Sequence, residues 1–308
     1  MILYKTNGNW FGDLAHLRRS YTMERIIRAV LVLGVYAAVI EVLIEVLDLH
    51  AYLVMDATVF SLLGVILSLF LGFRTNTAYD RWWEARKQWG ALVNNCRNMA
   101  IYVDSMWPES DTRIRRFMAK HIANFCLAFS EHLRSGARLD KLIFLAPEER
   151  EYYASKDHVP NFIALRIYQR MAAAHREGII NEGDYINIKA QHQSLLDILG
   201  ACERIKKTPI PFSYAVYLKV FVTAYCLLLP LGLAEPFGWM SIPLTMLIAF
   251  ALIGIELMGE EIEDPFGLDC NDLPTTDIAH TIRRNVFELL EDRTPTREED
   301  RELYEKVF

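Results

Sequence analysis

The sequence lacks paired cysteines, strand-like alternation, internal repeats and low-complexity tracts. Its five cysteines (Cys96, Cys126, Cys202, Cys226 and Cys270) are odd in number, scattered and without C-x-x-C spacing. That argues against a disulfide framework or a zinc site, and fits reduced, cytosolic surroundings. No basic block stands out against 39 acidic residues, and the net charge of −6 speaks against a nucleic-acid partner. The first residues carry Asn7, Gly8, Asn9, Asp13, Arg18 and Arg19 rather than a basic start followed by a short apolar stretch, so no secretory signal peptide is expected. Inside the apolar segments there is no H-E-x-x-H, G-x-S-x-G or acidic metal-binding pair, and His50 lies alone in a loop. The eight histidines have no evident ligand spacing, so the chain does not read as an enzyme.

What the sequence has is apolar length. Apolar residues make up 52% of the chain, yet the mean hydropathy is only +0.12, which predicts membrane spans mixed with a charged, water-facing part. Four segments approach the roughly 20 apolar residues a bilayer crossing needs: Ile26 to Leu47, Ala51 to Phe73, Pro211 to Leu233 and Pro236 to Met258. The short linkers Asp48 to Asp56 and Ala234 to Gly238 hold no Lys or Arg. Arg18, Arg19, Arg25 and Arg28 precede the first span, Arg74 and Arg81 follow the second, and Arg204, Lys206 and Lys207 precede the third. Positive charge concentrates on the cytoplasmic side, which predicts a multi-pass protein of the cell (inner) membrane with both termini and the middle section cytoplasmic. Glu41, Glu45, Lys219 and Glu256 interrupt the spans. Such residues face a bundle interior, water or a partner, or snorkel at the ends.

The middle section shows three- and four-residue apolar spacing, the period of helices. Helices are expected over Ala78 to Val103, Asp111 to Leu133, from Pro147, over Asn161 to Glu177, over Glu182 to Arg204 and over Asp277 to Leu290, with a charged tail from Arg293. The fold class is therefore all-α: four transmembrane helices plus a helical cytosolic domain. The expected division is residues 1–75 with spans one and two, 76–210 cytosolic, 211–258 with spans three and four, and 259–308 cytosolic.

Three ordered motifs carry a resemblance. The first joins Phe60-Ser61-Leu62-Leu63-Gly64, Phe70-Leu71-Gly72-Phe73-Arg74-Thr75-Asn76 and Tyr79-Asp80-Arg81-Trp82-Trp83-Glu84-Ala85-Arg86. The second is Cys202-Glu203-Arg204-Ile205 with Thr208-Pro209-Ile210-Pro211-Phe212, and the third is Glu263-Asp264-Pro265-Phe266-Gly267 with Asn271-Asp272-Leu273-Pro274. In this order they resemble the bestrophin family of ion channels, and the short tail is similar to its bacterial members. The resemblance implies a homopentamer in a lipid bilayer, with the second span lining a central pore for monovalent ions. It places an apolar pore neck at Val65, Leu69 and Phe73, which share a helix face. Periodicity alone would turn that stripe toward lipid; the resemblance reverses the order. Beside it run Ser61, Gly64, Ser68 and Gly72, small residues that let helices approach closely in membranes.

The family is best known for chloride and other anions, and bacterial members can favour cations, so both stay open here. The resemblance puts a cytosolic constriction at Gly183, flanked by Glu182 and Asp184. Acids there favour cations by focusing negative potential; the alternative is a helix cap with a turn. No cofactor is required by the resemblance. Animal members hold calcium after Pro-Phe-Gly, and Asp269 and Asp272 match two of those carboxylates, but Leu268 stands at the first acidic position. Calcium takes six to eight oxygens, so a turn held by local side-chain bonds is favoured over a calcium site. A membrane scaffold is the remaining alternative to a channel.

Overall fold

A computed structural model describes residues 21–47, 56–134 and 136–291. Among them every regular element is helical. Residues 48–55 of the linker between the first two spans, His50 included, and the charged tail lie outside the described residues.

The helices are α1 (Tyr21–Val46), α2 (Ala57–Met106), α3 (Thr112–His132), α4 (Pro147–Ala154), α5 (Val159–Arg176), α6 (Glu182–Lys207), α7 (Phe212–Phe237), α8 (Ser241–Glu263) and α9 (Thr275–Glu291). Local chemistry sets their ends. Asp56 starts α2 by accepting the Thr58 amide at 2.7 Å, Asp111 starts α3 through the Ile114 amide at 3.1 Å, and Asn181 starts α6 through the Asp184 amide at 2.9 Å. Each satisfies an amide that the first helical turn leaves without a partner. Arg204, Lys206 and Lys207 close α6, where cations suit the negative end of the helix dipole.

The second span and the first cytosolic helix, expected as separate elements, form one uninterrupted helix of 50 residues. Nothing between Phe73 and Ala78 breaks a helix: Arg74, Thr75, Asn76 and Thr77 include no Gly or Pro. At 1.5 Å per residue α2 is about 75 Å long, more than twice the roughly 30 Å of a bilayer's hydrocarbon core. A boundary at residue 75 therefore falls inside a continuous helix.

Two apolar cores are strung along this rod. One joins Phe60, Leu67 and Leu71 of α2 to α1, α7 and α8 through Ile26, Leu218, Val222, Leu229, Ala249 and Leu252. The other joins Trp89, Leu92, Cys96, Met99 and Val103 to α3, α5, α6 and α9, with Trp89 stacked on Phe129 at 5.1 Å between ring centroids. The buried positions of α2 recur every three or four residues, so one face of the helix serves both cores. Three helical stretches are long and apolar enough to cross a membrane: Tyr21–Val46, Thr58–Met106 and Phe212–Glu263. The last holds both α7 and α8. The chain reverses between them at Gly238, which adopts φ 49°, a conformation costly for residues with a Cβ. It then makes a short 3-10 turn over Gly238–Met240. Helix α7 runs on through Pro230 and Pro236, so the linker expected over Ala234 to Gly238 is mostly helix.

Candidate functional site: the outer face of the long helix

The face of α2 turned away from the first core carries Val65, Leu69 and Phe73, which are 70%, 59% and 57% exposed. Leu67, Leu71 and Arg74 turn inward. The sequence-predicted neck residues are thus on one outward stripe, and none is used by the chain's own packing. The small residues divide. A Cβ on Gly64 would stand 2.9 Å from the Tyr225 hydroxyl, so Gly64 seats α7 against α2. Ser68 and Gly72 are exposed, and nothing lies within 4 Å of a Cβ built on Gly72. The hydroxyls of Ser68, Thr75 and Thr77 donate to the carbonyls of Gly64, Leu71 and Phe73 on their own helix, which leaves the stripe effectively apolar. Beyond Phe73 the same face becomes polar at Asn76 and Asp80, then meets exposed Trp83.

Behind the stripe lies a charge cluster the sequence reading did not assemble. Arg74, read as a loop cation after the second span, is 1% exposed, and its Nη2 stands 3.5 Å from both Glu256 and Glu263 of α8. Glu256 is likewise buried, not placed at an interface by snorkelling. Glu263 also accepts the Ile210 amide at 2.8 Å. Two turns further, Arg81 donates to the carbonyls of Glu263, Ile205 and Thr208. These two arginines pin α2 to the junction of α6, α7 and α8. The other span charges also find partners: Glu41 accepts from Ser241 at 3.0 Å, and Lys219 meets Glu260 at 2.8 Å. Glu45, near the end of α1, is exposed.

The loop after α8 is built inward. Asp272 is 2% exposed, and its Oδ2 accepts the Asp269 amide at 2.6 Å. A Cβ on Gly267 would come within 2.5 Å of that oxygen, so the glycine permits the close approach. Glu261 accepts from the Asn271 amide and from Thr22, and Asp264 pairs with Lys206 at 2.5 Å. Asp269 and Leu268 are exposed. With most of these oxygens already occupied and one acidic position replaced, the donor set does not fit a calcium clasp, which needs six to eight oxygens. Burial pushes the Asp272 carboxyl up to about 7; the Asp269 amide opposes this, and the charges of Asp269, Asp264 and Glu261 add to it. Folding therefore takes up a proton between the ordinary value of 3.8 and about 7. The associated stability is full below the lower value and is lost as pH rises through the upper one. Asp272→Asn is expected to flatten the fall in melting temperature between about pH 5 and about pH 8; an unchanged slope counts against this assignment.

Gly183 and its flanking acids stand elsewhere. All three lie in the first turn of α6, where Asn181 provides the cap and Glu182 pairs with His175 at 3.1 Å. Gly183 is exposed, as is Ile186 one turn on. The opposite end of α6 carries Ile205, which Arg81 holds. A helix of 26 residues puts these ends about 39 Å apart, so Gly183 is remote from the neck stripe.

The chain matches the bacterial/fungal bestrophin protein family over residues 1–288. It is 35% identical over 287 residues to a voltage-dependent anion channel-forming protein of Mesorhizobium japonicum, covering 92% of this chain and 91% of that one. A protein of the same description from a Nostoc species is 37% identical over 230 residues, 73% of this chain and 75% of its own. A crystal structure of a bacterial bestrophin homologue from Klebsiella pneumoniae, a single-site variant, superposes with a TM-score of 0.81 at 26% identity. That match covers 86% of this chain and 99% of the other.

Proposed function

The chain belongs to the bacterial and fungal bestrophin family, and from that premise we propose that it forms an anion-conducting channel in a cell membrane. The observation that carries the reading is the outer face of α2, where Val65, Leu69 and Phe73 stand exposed beside Ser68 and Gly72. A helix with one large-apolar and one small outward stripe packs closely around an axis. Five copies, as in the family's pentamer, turn the large stripe into a ring. Such a ring gates by dewetting, because the narrow segment holds too little water to hydrate an ion.

In this arrangement α1, the first half of α2, α7 and α8 are the four spans. Both termini and the second core are cytoplasmic, because the cationic residues near the spans gather at one end. Gly183 with Glu182 and Asp184 would line the cytosolic exit. Exposed Glu182 and half-buried Asp184 favour a second reading in the same fold, a monovalent cation channel, through negative potential at the exit.

The test is the reversal potential of the reconstituted protein in an asymmetric potassium chloride gradient. An anion channel reverses toward the chloride equilibrium potential and a cation channel toward that of potassium. Absence of any conductance overturns both.

A further inference from the structure

We propose that His132, His158 and Glu203 form a binding site for a divalent transition-metal ion of the zinc class, among the helices that build the second core. The three residues come from different elements. His132 ends α3, His158 precedes α5 as its cap, and Glu203 lies one turn before the end of α6. Their ligand atoms all lie within 4.8 Å of one another. The Nε2 atoms of His132 and His158 stand 2.6 Å and 2.8 Å from the same carboxylate oxygen, Oε1 of Glu203. Two imidazoles and one carboxylate are the donor set of open zinc sites, where water takes the fourth position.

The surroundings suit that use. All three residues are partly buried, so the site is shielded without being sealed. A cavity of about 510 Å³ opens beside it, lined by His158, Glu203, Tyr168 and His192 among others, and leaves room for the water ligand. Lys207 lies 3.9 Å from the other carboxylate oxygen of Glu203 but is largely exposed, where water screens it. In a tetrahedral zinc site neighbouring ligand atoms are about 3.3 Å apart. Binding therefore requires the two histidine–carboxylate pairs, now at 2.6 Å and 2.8 Å, to open by about 0.5–0.7 Å.

His158 Nδ1 accepts the Asn161 amide at 3.4 Å, so in the neutral ring the proton sits on Nε2, pointing at Glu203. Metal ligation through Nε2 moves that proton to Nδ1 by way of solvent. The Asn161 amide, itself a donor, then loses its acceptor and turns to solvent; where both neutral rings exchange their protons in this way, no net proton is released.

The cap role supplies a clean variant. Asparagine is a preferred N-cap residue, so His158→Asn keeps the start of α5 while removing a ligand. The experiment titrates Co²⁺ into the purified full-length protein in detergent and follows visible d–d absorption. One Co²⁺ per chain is expected, displaced by Zn²⁺ and not by Mg²⁺. Affinity should fall by at least about 100-fold in His158→Asn and in Glu203→Gln, more than loss of an outer-shell partner causes. Absence of stoichiometric Co²⁺ uptake, or wild-type uptake by either variant at an unchanged elution volume, overturns the site. If one variant fails to fold, the other carries the same readout.

Discussion

Replacing Val65, Leu69 and Phe73 together by alanine is expected to raise passive ion flux into liposomes by about tenfold or more, since each ~1.4 kcal/mol removed from a barrier gives a factor of ten. The reason lies in where the side chains point. All three are more than half exposed on the single chain, so truncating them opens no cavity in its own core. If the stripe lines a dewetted neck, shorter side chains admit water and the barrier falls. If it faces lipid, the same substitution leaves flux unchanged. A salt-loaded liposome assay with wild type and variant at matched protein content separates the two outcomes. Equal fluxes would remove the neck from the proposal while leaving family and fold untouched.

How much of this was legible beforehand depends on the range of the interaction. Helix starts set by one side chain were readable: Asp111, Pro147 and Glu182 mark the observed ends of α3, α4 and α6 within a residue. So was the outward stripe of α2, since three residues at four-residue spacing must share a face. The fusion of span and cytosolic helix into one rod was missed because a boundary was drawn where hydropathy falls. Hydropathy changes at Arg74, but the backbone has no reason to stop there. Arg74 itself was misplaced for a related cause. Loop charge counting treats a cation after a span as solvent-exposed, whereas its partners Glu256 and Glu263 lie some 180 residues away on α8. The cluster of His132, His158 and Glu203 was equally hidden. The ligands are separated by whole helices and leave no local spacing to recognise, although Glu203 sits within one of the motifs that first suggested the family.

Arg74→Ala is expected to be the most damaging single substitution, costing about 3–5 kcal/mol, the usual consequence of removing one partner from a buried ion cluster. Two carboxylates would be left facing one another, Glu256 almost without solvent. The Glu263 carboxylate would keep its bond to the Ile210 amide, at the point where α6 hands the chain to α7. Lysine is a poor replacement, because its compact, strongly hydrated ammonium is costlier to bury than the weakly hydrated guanidinium. Thermal melting followed by size-exclusion elution reads the effect. The double variant Arg74→Met with Glu256→Gln should recover part of the loss by removing one stranded charge. A single-variant shift below about 1 kcal/mol would mean the cluster contributes little. The consequence for conduction follows from helix geometry. Arg74 is one residue past Phe73, a rotation of about 100°, so the pair of acids that draws Arg74 inward also fixes Phe73 outward. Loss of the anchor should therefore free the α2 segment to rotate, and disturb flux even in the fraction of protein that remains folded.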